Sequence, residues 1–138
     1  MSVKIKYGLC VMVELAKAYD KKPLRLPHLA EVNSIPQTYL EQVFVVLKKT
    51  GLVVSFRGAQ GGYALSRSPE DIQVASIVEA LEGPLELASG QKGCDDMVFF
   101  WKDVESQIKA IFDLSLADLI MKQDLNKQKL QKMVTYTI

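Results

Sequence analysis

With 138 residues and a net charge of +1, the chain is sized for about one domain with a real but small core, which an oligomer could extend. No apolar run approaches the ~20 residues of a membrane span, and the start "MSVKIKYGLC" lacks the apolar core of a secretion signal, so a cytoplasmic protein is expected. Two cysteines, Cys10 and Cys94, without an export signal exclude a disulfide framework. Charge is uneven along the chain: residues 1–70 hold ten Lys/Arg against five Asp/Glu, and residues 71–138 hold seven against eleven. The basic first half suggests a polyanion partner, and the acidic second half a different task.

Tyr7, Cys10, Val11, Leu15 and Ala18 recur at three- and four-residue steps, which predicts a helix from Val3 to Tyr19 with Cys10 on its core-facing stripe. The prolines of "KKPLRLP" break that pattern, and a short second helix is expected over "PHLAEVN", ending at Asn33 and Ser34. His28, at its start, reads as a surface or capping residue. Pro36 opens a third helix, where a missing N–H costs nothing. Along it Leu40, Val43, Phe44 and Leu47 form one stripe; Thr38, Glu41, Gln42, Val45 and Lys49 form the opposite one.

Gly51 stops this helix, "LVVSF" has strand composition, and "RGAQGGYALSR" completes a hairpin whose Gly58, Gly61 and Gly62 permit angles and close approaches that a Cβ resists. A fourth helix is expected from about Asp71 or Val74 to Leu81, closed by Gly83 and Pro84, followed by an exposed loop over residues 85–95. Met97, Trp101, Val104, Ile108 and Ile111 then step by four and three, the heptad spacing of a helix packed lengthwise on another. A chain this short has little core with which to cover Trp101, Phe99 and Phe100, so these positions are read as a dimer interface. "SLADLI" is expected to be a short helix, and "KQDLNKQKLQKM" is left as helix or frayed end.

Helix, tight turn, helix and two-stranded hairpin is the order of a winged helix-turn-helix. The fold class expected is mostly α with a small β-hairpin: a DNA-binding unit over 1–83, a loop over 84–95, and a dimerisation helix with a C-terminal segment over 96–138. In this arrangement the third helix enters the major groove and the hairpin tip reaches the neighbouring backbone or minor groove. Thr38, Glu41 and Gln42 carry groups that pair with base edges, and Lys48 and Lys49 suit phosphates. Tyr39 packs inward or lies along the backbone. The wing adds Arg57, Gly58 and Gln60. Each side chain also has a plainer role: Glu41 on a solvated face, Lys48 and Lys49 at a helix C-terminus that favours cations. The combination of order, free face and glycine wing carries the nucleic-acid reading.

The stretch "YLEQVFVVLKKTGLVVSFRGAQGGYALSRSPEDIQVASIVEALEGP" closely resembles the Rrf-two-type bacterial regulators, which include the iron-sulfur cluster regulator and the cysteine-metabolism repressor. "YLEQ", "L-K-x-x-G-L-V", "S-x-R-G-x-x-G-G-Y-x-L" and the "ALEGP" ending carry the resemblance, from about Tyr7 to Trp101. It implies a homodimer joined by the helix around Trp101 to Phe112 on a double-stranded, pseudo-palindromic operator. It also implies base contacts from Thr38, Glu41 and Gln42 and a wing contact from Arg57.

Cluster-binding members resemble one another in three loop cysteines before the dimer helix, whereas this chain has only Cys94 there. A cluster needs several thiolates at short spacing, so none is expected. Cys94 is an inert loop cysteine, a thiol sensor, or part of an unusual metal site with Cys10 or His28 across a dimer. The chain thus looks more like the cysteine-metabolism branch, whose likeness implies a cysteine-biosynthesis enzyme as a possible partner. Enzymatic function is not expected, since no Ser/His/Asp cluster, phosphate loop or paired acids are legible. The competing reading is a protein-interaction module of the same fold without DNA binding.

Overall fold

The computed structural model describes residues 2–88 and 95–137. In chain order it contains α1 (Val3–Lys17), α2 (Leu26–Asn33), α3 (Gln37–Lys49), β1 (Val53–Phe56), β2 (Gly62–Leu65), α4 (Val74–Glu82), α5 (Val98–Ile111) and α6 (Leu116–Thr137), with 3-10 turns at Pro69–Asp71 and Asp95–Met97. The mostly helical architecture with one antiparallel hairpin is the one the sequence predicts. Among the described residues no helix is long and apolar enough to cross a membrane.

One core joins α1, α2, α3, α4, the hairpin and the first turn of α6. Phe44, Met12, Leu29, Leu40, Leu47, Ile72, Ile77 and Leu116 are the larger of its fully buried side chains, with Val11, Val43 and Val53 beside them, each worth about 1.5–3 kcal/mol as area removed from water. The predicted stripe of α1 is turned by about one residue step, roughly 100°. Ile5, Gly8, Met12 and Ala16 join Val11 and Leu15 of the predicted stripe in facing the core, Tyr7 and Ala18 are half-buried, and Cys10 is exposed. Gly8 explains the register: a Cβ there would overlap Leu81, so α1 lies against α4 at its glycine. The helix also ends at Lys17, before Tyr19.

The turn between α2 and α3 is set by Ser34 in the left-handed region (φ 53°) and by buried Ile35, whose amide donates to the Ala30 carbonyl at 2.9 Å. Pro36 caps α3 with φ −57°. At the other end Gly51 (φ 78°) completes a Schellman motif: the Gly51 amide donates to Lys48 O at 3.1 Å and the Leu52 amide to Leu47 O at 3.0 Å. That turn points the chain directly into β1.

The C-terminal region differs from expectation. "SLADLI" opens a 22-residue helix that continues through "KQDLNKQKLQKM". Its start is fixed by reciprocal capping, Asp118 N to Ser115 Oγ at 3.0 Å and Ser115 N to Asp118 Oδ2 at 3.3 Å. The Leu116 amide donates to Ile72 O and the Val74 amide to Leu114 O, both at 2.9 Å. These bonds sew the start of α6 to the approach of α4. In the expected loop, residues 89–94, Cys94 among them, lie outside the described residues.

Candidate nucleic-acid interface

Helix α3 divides cleanly. Leu40, Val43, Phe44 and Leu47 are buried, while Thr38, Glu41, Gln42, Val45, Lys48 and Lys49 are exposed. The 3.6-residue period that puts four apolar side chains on the core leaves the polar ones on a single outward face. Val45, 66% exposed in the middle of that face, is an apolar group fit for a thymine methyl. The sequence pattern placed it on this face without singling it out. Tyr39 is half-buried, its ring edge-on to Tyr7 with centroids 5.2 Å apart.

The hairpin pairs Val53 with Leu65, Val54 with Ala64, Ser55 with Tyr63 and Phe56 with Gly62, leaving residues 57–61 as the tip. The tip turns through a Gly61 N to Gly58 O bond of 2.9 Å. Gly61 and Gly62 are there for space: a Cβ on Gly61 would come within 2.6 Å of Phe56 O, and one on Gly62 within 2.5 Å of Leu24 O. Arg57, Gly58 and Gln60 are all exposed at this tip. Among the described residues neither Lys48, Lys49 nor Arg57 forms an ion pair with an acidic side chain, so their charge is free for a polyanion.

Three ties hold the wing relative to α3. The Tyr63 ring lies 4.3 Å from that of Phe44, on the buried side of α3. Leu24 and Tyr63 exchange two backbone bonds, Leu24 N to Tyr63 O at 2.9 Å and Tyr63 N to Leu24 O at 2.7 Å, so the α1–α2 connection adds one residue of a third strand. Arg25, the residue before α2, sends Nη2 to the carbonyls of Gly58 at 3.0 Å and Ala59 at 2.8 Å. Sequence reasoning treated "KKPLRLP" only as a helix break and missed both of these ties. Its alternating Leu24, Arg25 and Leu26 between two prolines was the available signal.

Helix α5 and the 3-10 turn before it present Met97, Trp101, Val104, Ile108 and Ile111 along one side. Trp101 is 37% exposed, Ile111 is 70% exposed, and Val104 and Ile108 are half-buried. None of the residues of α5 is buried. His28 is exposed on α2, so the surface alternative holds; α2 has no side-chain cap bond.

The chain matches the Rrf2 family, described as iron-dependent transcriptional regulators, over residues 1–136. It is 44% identical over 85 residues to the HTH-type transcriptional regulator CymR of Bacillus subtilis, an alignment spanning 62% of each chain. It is 34% identical to an HTH-type regulator of Azotobacter vinelandii over 91% of this chain and 81% of that one. Among solved structures, the B. subtilis CymR superimposes with a TM-score of 0.75 at 33% identity, covering 86% of this chain and 94% of that chain. A T. potens IscR gives 0.76 at 38% identity, covering 89% and 87%.

The family description names iron, and the loop that holds Cys94 lies outside the described residues. Among the described residues no three His, Cys, Asp or Glu side chains gather as a metal site. Cys10 and His28 stand exposed on different helices, and only Cys94 remains beyond them. An order of elements, a glycine wing and a family match along nearly the whole chain agree: this chain belongs to the Rrf2 family of helix-turn-helix transcriptional regulators, which are not enzymes.

Proposed function

We propose that the chain is a homodimeric regulator that binds a pseudo-palindromic operator, with α3 in the major groove and the wing tip at the adjacent groove. The observation that carries this reading is the exposed face of Thr38, Glu41, Gln42 and Val45, standing opposite a fully buried stripe of the same helix. Gln42 is suited to adenine, Glu41 to the cytosine amino group, and Thr38 to a base or phosphate. Lys48, Lys49 and Arg57 supply phosphate charge, so affinity falls steeply with salt.

The uncovered side of α5 supports the homodimer. A second α5 laid along Met97, Trp101, Val104, Ile108 and Ile111 would remove that apolar surface from water. Two α3 helices then stand about 34 Å apart, one turn of DNA or a multiple of it. We read it as working without a resident iron-sulfur cluster, because the chain has one cysteine, Cys94, before the dimer helix where a cluster needs several thiolates at short spacing.

Selection of duplexes from a random-sequence pool, followed by titration of variants, tests the reading. Gln42→Ala should lose about 1–3 kcal/mol of preference between the selected duplex and one changed at a single contacted position. An unchanged preference with intact overall affinity would remove Gln42 from the base-reading face.

A further inference from the structure

We propose that Arg25 is a positioning residue for the wing: a clamp from the start of α2 that holds the hairpin tip where Arg57 and Gln60 can meet DNA. This rests on the DNA-binding reading above and adds to it a residue outside the recognition helix and outside the hairpin.

The tip has little else to fix it. Each strand has four residues, and an isolated two-stranded hairpin is marginal in water. The Tyr63–Phe44 and Leu24–Tyr63 ties act on the hairpin's second strand, below the turn. Beyond that strand, the Gly58 carbonyl is engaged by the Gly61 amide within the turn itself. Among the described residues Arg25 is the side chain that hydrogen-bonds the tip from another element, and one Nη2 serves both the Gly58 and Ala59 carbonyls.

The geometry explains why an arginine suits this position. A long side chain starting beside Leu24 follows the same path as the Leu24–Tyr63 pair and ends at the turn. Its acceptors are neutral carbonyls, so the guanidinium keeps its full positive charge beside Arg57, and both line the same cleft of about 290 Å³ with Pro27, Ser55 and Phe56. The wing tip is therefore held by a group that does not reduce its attraction for phosphates. Ordering the tip in the free protein also lowers the entropy lost when it docks.

A phosphate contact made by Arg25 itself is the competing role, and a double-mutant cycle separates the two. The variants are Arg25→Ala, Arg57→Ala and both together, titrated with a duplex that the wild-type chain selects from a random pool. Hydrogen exchange is followed at the Gly61 amide of the free protein. A clamp predicts that Arg25→Ala speeds Gly61 exchange about fivefold and weakens duplex binding by a similar factor. It further predicts that most of the binding loss disappears in the Arg57→Ala background, because the contact being positioned is already gone.

Equal losses in both backgrounds, with Arg25→Ala alone reducing the salt slope by about one, would make Arg25 a phosphate ligand and overturn the clamp. Unchanged Gly61 exchange overturns it as well, whatever the binding data show. If Arg57→Ala binds like wild type while Gly61 exchange is accelerated, the wing contact of the proposed function fails instead, and the tip is clamped without serving DNA.

Discussion

Helices α3 and α5 have 13 and 14 residues and each carries an apolar stripe, yet α3 buries four side chains and α5 buries none. The difference lies in where the cover comes from. Against α3 the same chain supplies α1, α2, α4 and β1. Along the stripe of α5 it leaves Trp101 at 37% and Ile111 at 70% exposure. A stripe in the sequence thus reports that a face wants covering, and only packing reveals whether the chain covers it.

The largest effect should come from the covered side. Phe44→Ala removes a fully buried ring that stacks on Tyr63 and should cost about 3–5 kcal/mol in urea unfolding; a loss below about 1 kcal/mol would place the core elsewhere. On the open side, Ile111→Glu should leave helical content by circular dichroism nearly unchanged while sedimentation equilibrium shifts from dimer to monomer. A wild-type chain that sediments as a monomer would break the comparison, since α5 would then stay uncovered. The mildest effect belongs to the edge of the core, where the Glu82 carboxylate accepts from the hydroxyl and the amide of Ser2.

Those bonds, the hydroxyl first, hold the Glu82 carboxyl below the ordinary carboxylate range. Because the folded-state value is the lower one, the stabilisation is complete above the ordinary carboxylate pKa and fades as pH falls through the lowered one. Glu82→Gln should accordingly narrow the difference in unfolding midpoint between neutral and acidic buffer. The group is at the surface, so the narrowing is small, and an identical pH profile in both proteins would remove Glu82 from the acid response.

Much of the interface was legible because it depends on local periodicity. The α3 stripe follows from Leu40, Val43, Phe44 and Leu47 at helical spacing, and the wing glycines follow from turn geometry. Cys10 shows the limit. The three- and four-residue steps through Tyr7, Cys10 and Val11 gave a plausible stripe, and Val11 is buried, but Gly8 against Leu81 turned the helix so that Cys10 faces outward. A glycine scores as a gap in an apolar pattern, although its missing side chain is what draws two helices together. The length of α6 was likewise hidden: its polar second half holds Leu130, Met133 and Val134 at helical spacing but leaves all three exposed, and the Ser115 and Asp118 cap with buried Leu116 anchors the start from which it extends.

The sequence by itself determined the order of helices and hairpin, the polar outward face of α3 and the family, since these rest on spacing and residue type along a continuous stretch. The tertiary structure decided the rotation of α1, the anchoring of α6 on the approach to α4, and the ties from Leu24 and Arg25 to the wing. Those are contacts between residues from 33 positions apart, Arg25 with Gly58, to 73 apart, Gly8 with Leu81, and no local pattern encodes which distant group will come within reach.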